Sequence, residues 1–169
     1  IMDTDVGLGT RNAEIDDGLA IAYALSNPET VEVQCLTTVF GNVTGGEAYK
    51  NAAKLLDDLG KNDIRVQKGA TRPMTDDEHK ESSACAAAEL ITSTIMSRPS
   101  EITLLCIGPL TNIATALLVE PSITKDVKEV YIMGGAIEAP GNITPTAEFN
   151  IYSDPIAAKT VFNSKMPMT

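Results

Sequence analysis

Tryptophan is absent from the 169 residues, aromatic side chains make up only 4%, and histidine occurs once, as His79. A core without large rings must be filled by Ala, Ile, Leu and Val, as in helices packed on a buried parallel sheet. Positive charge is also scarce: 13 Lys and Arg face 23 Asp and Glu, for a net charge of −10. With no basic run to offset it, that balance argues against a nucleic-acid backbone or an anionic membrane surface as partner. No apolar run is long enough to span a bilayer. The cysteines Cys35, Cys85 and Cys106 have neither an even count nor metal-ligand spacing, and Cys35 and Cys106 sit in apolar runs as small buried hydrophobes. No secretory signal is read at the start, so the expected compartment is the reducing cytoplasm. The chain opens at Ile1 without an initiator methionine, which leaves an upstream segment open.

What is present is a hydrophobic fraction of 43%, enough for one ordinary core, so residues 1–169 are expected to form a single domain. Acids cluster at its start. Asp3 and Asp5 stand two apart, Asp16 and Asp17 are adjacent, and Gly7 and Gly9 lie between the pairs. An Asp-x-Asp at the end of a short strand turns both carboxylates to one face, because side chains alternate along a strand. Asp16-Asp17 opens a run of helical composition from Gly18 to Leu25, so either acid can cap it. Carboxylates this close repel unless a positive partner sits among them, and a hard cation with oxygen ligands is the natural one. Two plainer readings stand beside this one. The acids are also ordinary cap and turn residues. An EF-hand register through Asp3, Asp5 and Glu14 fails where its sharp turn needs Gly and Leu8 stands.

Along the chain, strand-like and helix-like runs alternate. Strands are expected at Val31–Val39, Ile64–Val66, Ile102–Ile107 and Val127–Met133; helices at Gly46–Leu59, Ala84–Ser97, Leu110–Leu118 with Thr111 or Asn112 as cap, and from Asp154-Pro155 to Phe162. A polar loop covers Lys68 to Ser83 and a second loop Ala136 to Asn150, and the tail from Met166 reads as the start of another strand. The alternation predicts an α/β fold, a mainly parallel, Rossmann-like open sheet with helices on both faces. Ligands of such sheets bind at the carboxyl ends of the strands. Four strand ends therefore converge: Asp3/Asp5, Thr38 to Asn42, Ile107-Gly108 and Met133-Gly134-Gly135.

Those stretches, with Ile15-Asp16-Asp17, Ile107-Gly-Pro-Leu-Thr-Asn-Ile113, Gly141-Asn142 and Ala147-Glu-Phe-Asn150, resemble the inosine-uridine nucleoside hydrolase family in the family's own order. The resemblance implies hydrolysis of the N-glycosidic bond of a small-molecule ribonucleoside. It implies a Ca²⁺ ion held by Asp5, Asp17 and the main-chain carbonyl of Ile107, with Asp5 also taking a proton from the metal-bound water. Asp16 and Asn42 are similar to the family's ribose-hydroxyl partners, and Met133, Asn142, Glu148, Phe149 and Asn150 to the residues that hold and line the sugar site. Taken singly, Asn42 is also a common turn residue, and Met133 and Phe149 are also ordinary core types.

Three departures accompany the resemblance. Residues 8–15 intervene between Gly7 and the Asp pair, where the family has a single residue; such a segment either loops out or displaces Asp16 and Asp17 from Asp5. The family's chains run well past Thr169, and that further half carries another Asp ligand and, in many members, a His near the leaving base. His79 is not at that position and reads as a solvated loop residue. The loop around it, Asp76 to Ser83, is short for the family's lid. The chain thus reads as truncated at its carboxyl end, with a homo-oligomer or a complementing C-terminal chain expected to cover its open sheet edge. The alternatives to turnover are a ribose- or metal-binding relic, or a hydrolase of another N-riboside such as nicotinamide riboside.

Overall fold

A computed structural model of the chain describes residues 1–76 and 85–169. His79 and most of the expected lid lie outside the described residues. Five short strands form one sheet: β1 (Met2–Thr4), β2 (Cys35–Thr38), β3 (Arg65–Lys68), β4 (Thr103–Cys106) and β5 (Glu129–Ile132). All pair in parallel, in the order β3-β2-β1-β4-β5. The chain works outward from β1 to one edge and then returns to β1's other side, so the order reverses between β1 and β4. That reversal opens a crevice above the strand ends, where such sheets bind ligands.

Described helices are α1 (Asp16–Leu25), α2 (Gly45–Asp58), α3 (Ala86–Ser97), α4 (Thr111–Val119), α5 (Ile123–Asp126), α6 (Phe149–Ser153) and α7 (Pro155–Phe162). Side-chain alternation along the strands divides the core in two. Met2 and Leu36 point to the face covered by α1 and α2, where they join Ile21, Ala24, Ala52 and Leu56. Cys35, Leu104, Cys106 and Val130 point to the other face, with Ile91 and Ile95 of α3, Ile113 of α4 and Val161 of α7. Helices on both faces of a parallel sheet are what the alternating pattern predicts.

Details differ from the sequence reading at element ends. Each of β2, β4 and β5 is shorter than its apolar run; Val31–Gln34 lie outside the sheet, with Val31 exposed. β1 has only three residues to pair with, and the ladder stops with it. Neither Asp16 nor Asp17 caps α1: Ile15 occupies the cap without a side-chain bond, and both acids sit in the first turn, where their charge still suits the helix dipole. Leu110, not Thr111 or Asn112, caps α4, because both polar side chains are used elsewhere. Thr44 caps α2 in a reciprocal box with Glu47, a Thr-x-x-Glu pattern visible in the sequence.

Asp154, fully buried, does more than open α7. One carboxylate oxygen caps the helix through Ala157 N–H at 2.9 Å; the other accepts from Met74 N–H at 2.9 Å and Thr111 Oγ1 at 2.6 Å. It thereby ties three segments together on the α3–α4–α7 side. The tail, expected as the start of another strand, lies beside β5 as an isolated parallel bridge between Val130 and Met168, with Ile132 N–H donating to Thr169 O at 3.0 Å. Among the described residues no helix is long and apolar enough to cross a membrane.

Candidate functional site

The four strand ends meet in one crevice of about 470 Å³. It is lined by all ten residues singled out from the sequence: Asp5, Asp16, Asp17, Asn42, Ile107, Met133, Asn142, Glu148, Phe149 and Asn150. Asn12, Glu14, Gly41 and Ile143 complete the lining. Register explains the convergence. Asp3 pairs with Cys106, and Cys106 with Ile132, so Asp5, Ile107 and Met133 leave neighbouring strands at nearly the same height.

Of the Asp3-x-Asp5 pair, only Asp5 lines the crevice. β1 ends at Thr4, and Asp5 lies beyond the ladder, free of strict alternation. Asp3 is buried under the crevice, where its Oδ1 accepts from Thr37 Oγ1 at 2.6 Å and Asn112 Nδ2 at 2.8 Å. Its Oδ2 is buried with no partner among the described residues. Burial therefore pushes the Asp3 carboxyl up to about 7, against the lowering effect of those two bonds. Asn112 holds the floor together, because it also donates to Thr38 O at 3.1 Å and accepts from Ala70 N–H at 2.9 Å.

Asp5 and Asp17 form the centre of the site, 3% and 7% exposed. Asp17 Oδ2 accepts the Asp5 main-chain N–H at 3.1 Å and the hydroxyl of Thr4. Asp5 Oδ2 accepts from Asn42 N–H at 2.6 Å. Burial raises both carboxyls above their ordinary value; the hydrogen bonds from Asn42 to Asp5 and from Thr4 to Asp17 oppose it, while the charge of Asp3 on Asp5 and those of Asp5 and Asp16 on Asp17 add to it. Glycine is required beside Asp5: a Cβ at Gly41 would stand 2.0 Å from Asp5 Oδ2.

Residues 8–15 loop out and leave the carboxylates in register. The segment turns through Thr10 N–H to Gly7 O at 2.8 Å, and Asn51 Nδ2 bonds Val6 O at 3.1 Å and Thr10 Oγ1 at 2.9 Å. Its return is clamped by Asn42, whose amide accepts from Glu14 N–H at 3.0 Å and donates to Glu14 O at 2.9 Å. The Asn42 side chain is thus engaged with the inserted segment, which sequence reasoning had no means of anticipating. Leu8 packs against Gly18, where a Cβ would come within 2.6 Å of it.

The opposite wall is built by the loop before α6. Glu148 caps that helix through Asn150 N–H at 3.0 Å and Ile151 N–H at 3.2 Å, and also accepts from Gly135 N–H at 3.0 Å. Asn142 Oδ1 accepts from Phe149 N–H at 2.8 Å. Asn150 Nδ2 joins two strand ends, donating to Ile107 O and Met133 O, each at 3.0 Å.

Among the described residues no group of three or more His, Cys, Asp or Glu is arranged to hold a metal. The donors that do meet are nevertheless of one kind. Two buried carboxylates and the Ile107 carbonyl are hard oxygen ligands, and among the described residues no Lys or Arg lines the crevice to offset the acids. A carbonyl keeps a second lone pair after accepting from Asn150. These residues fit a hard divalent cation by chemistry and supply part of its shell, since Ca²⁺ takes 6–8 oxygens.

Residues 1–169 match the family model described as inosine-uridine preferring nucleoside hydrolase. Uridine nucleosidase 1 of Arabidopsis thaliana is 37% identical over all of this chain, which covers 54% of that protein. The pyrimidine-specific ribonucleoside hydrolase RihA of Citrobacter koseri is 38% identical over 90% of this chain, covering 55% of its own length. The chain therefore spans about half of the relatives it matches. Among solved structures, a purine-preferring ribonucleoside hydrolase from Gardnerella vaginalis superposes with a TM-score of 0.86 at 30% identity, over 99% of this chain and 58% of that one. A plant nucleoside hydrolase gives 0.85 at 34% identity, over 99% and 57%.

Proposed function

Because the chain belongs to the inosine-uridine preferring nucleoside hydrolase family, we propose that its crevice binds a ribonucleoside and hydrolyses the N-glycosidic bond to ribose and free base. The family acts on small-molecule nucleosides with the help of a metal ion; Ca²⁺ is the ion we assign. The observation that carries the reading is the meeting of Asp5 and Asp17, both buried, at the sheet's reversal point.

Asp5 is the proposed base. It removes a proton from the attacking water as the water oxygen bonds C1′, and the C1′–N bond breaks with its electron pair passing to the base nitrogen, which takes a proton from solvent while Asp5 returns its own to solvent. A carboxyl lifted above its ordinary value by burial is a better proton acceptor than a solvated one. Asp5, Asp17 and the Ile107 carbonyl would hold the cation, which supplies Lewis-acid polarisation of the oxygens around it. The same carboxylates stabilise the positive charge that develops on the sugar as the bond breaks. Asp16 is proposed to accept from a ribose hydroxyl. Asn142, Glu148 and Asn150 present polar groups for the rest of the sugar, with Met133 and Phe149 as apolar walls. For Asn42 a ribose contact competes with its bonds to Glu14, so its main chain, which donates to Asp5, is the firmer part of its role.

One observation favours a second reading, a ribose- or metal-binding module without turnover: two carboxylates and one carbonyl make an incomplete calcium shell. Release of free ribose from inosine and uridine separates the two. The hydrolase reading expects release by the chain and its loss in Asp5→Asn; binding of Ca²⁺ or ribose with no release would favour the module.

A further inference from the structure

The inserted segment does more than bulge away from the sheet. Beside it lies a second, wide-open compartment of about 500 Å³, lined by Arg11, Asn12, Phe40, Thr44, Thr71 and Glu47, the last engaged in the Thr44 capping box, among others. This compartment and the crevice share Asn12, Gly41 and Asn42 as lining, so the two are contiguous across that partition. Asn12 stands at the junction with φ +64°, a left-handed conformation that Asn tolerates and that orders the turn.

The chemistry on the two sides is complementary to the two halves of a nucleoside. The crevice offers buried carboxylates, which accept from hydroxyl groups and suit a sugar. The compartment offers an aromatic ring, Phe40, and the donor groups of Arg11 and Asn12, which suit the face and the acceptor edge of a flat heterocycle. The partition is held rigidly: Asn42 bonds Glu14 through both ends of its amide and Asp5 through its main chain, fixing the inserted wall to the carboxylate centre. We propose that residues 10–13 are a specificity-determining wall, with Arg11 and Asn12 contacting the base of a nucleoside whose sugar lies over Asp5 and Asp17. This rests on the nucleoside reading of the crevice.

The test uses the full 169-residue chain in the presence of Ca²⁺, with equilibrium binding of inosine, uridine and free ribose measured for the parent, Arg11→Ala and Asn12→Gly. Both positions are exposed, and Gly accepts the positive φ at position 12, so an unchanged melting temperature is expected. The inference expects each variant to bind at least one of the two nucleosides about tenfold more weakly, the scale of one lost hydrogen bond to a charged or polar edge. Affinity for ribose should stay within twofold. Unchanged nucleoside and ribose affinities in both variants would overturn the inference and leave the crevice reading standing. Equal weakening toward ribose and nucleosides would also overturn it, since the wall would then act through the sugar site. A parent chain that binds neither ribose nor nucleoside would overturn both.

Discussion

Asp17 Oδ2 accepts the main-chain N–H of Asp5 at 3.1 Å, although residues 8–15 are inserted between the turn at Gly7 and the start of α1. The contact holds because the insertion is tied at both ends. Asn51 fixes its outgoing turn and Asn42 its return, so the extra chain adds a wall without adding distance. Closing a loop of this size costs little entropy compared with these bonds.

The approach of Asn42 to Asp5 depends on Gly41. Replacing Gly41 with Ala puts a Cβ 2.0 Å from Asp5 Oδ2, so the carboxylate or the turn must move. Gly41→Ala is expected to destabilise the chain by about 1–3 kcal/mol and to weaken Ca²⁺ binding, read by urea unfolding and calorimetry. Wild-type stability and calcium affinity in this variant would show that the contact does not position Asp5.

Carboxylates lifted by burial set the pH response of the metal-free chain. The folded-state values of Asp3, Asp5 and Asp17 lie above the ordinary 3.8, that of Asp3 at about 7. The folded state then binds more protons than the unfolded one, so this contribution to stability is complete below pH 3.8 and is lost as pH rises toward 7. With a chelator present, the acids of the site oppose folding more at pH 7 than at pH 5, and added Ca²⁺ should raise the melting temperature more at pH 7. A calcium effect that is larger at pH 5 would contradict this.

Asp154 offers a control remote from the chemistry. Asp154→Ala removes the α7 cap and the acceptors of Met74 and Thr111, three hydrogen bonds at a fully buried position. The expected loss is about 3 kcal/mol or more, seen as a lower denaturation midpoint. A shift below 0.5 kcal/mol, roughly the scale of a surface substitution, would mean that the three segments are held by other contacts.

The sequence made the sheet legible because its signals are local. Apolar runs such as Ile102–Ile107 and the stop at Gly108-Pro109 announce β4 without help from elsewhere, and the parallel rule then locates the crevice. Cap assignments failed at Asp17 and Asn112 because each side chain answers a distant partner, Thr4 across the inserted turn and Asp3 across 109 positions. The same holds for Asn42. Its type suits a turn, but its bonds to Glu14 exist only once the insertion has folded back. Alternation along Asp3-x-Asp5 does not tell which of the two acids reaches the crevice, because the strand is only three residues long and Asp5 lies beyond it. The Thr44–Glu47 box has a local spacing signal too, but the sequence reading begins that helix at Gly46 and passes over it.

The central claim, that Asp5 and Asp17 hold a cation against which a ribose binds, is tested most directly by calorimetric titration of Ca²⁺ into the 169-residue chain, with and without ribose, beside Asp17→Asn. The account predicts binding by the parent chain that strengthens with ribose and falls by at least about tenfold in the variant, as loss of a charged ligand requires. Absence of calcium binding by the parent chain, or equal binding by Asp17→Asn, would contradict it.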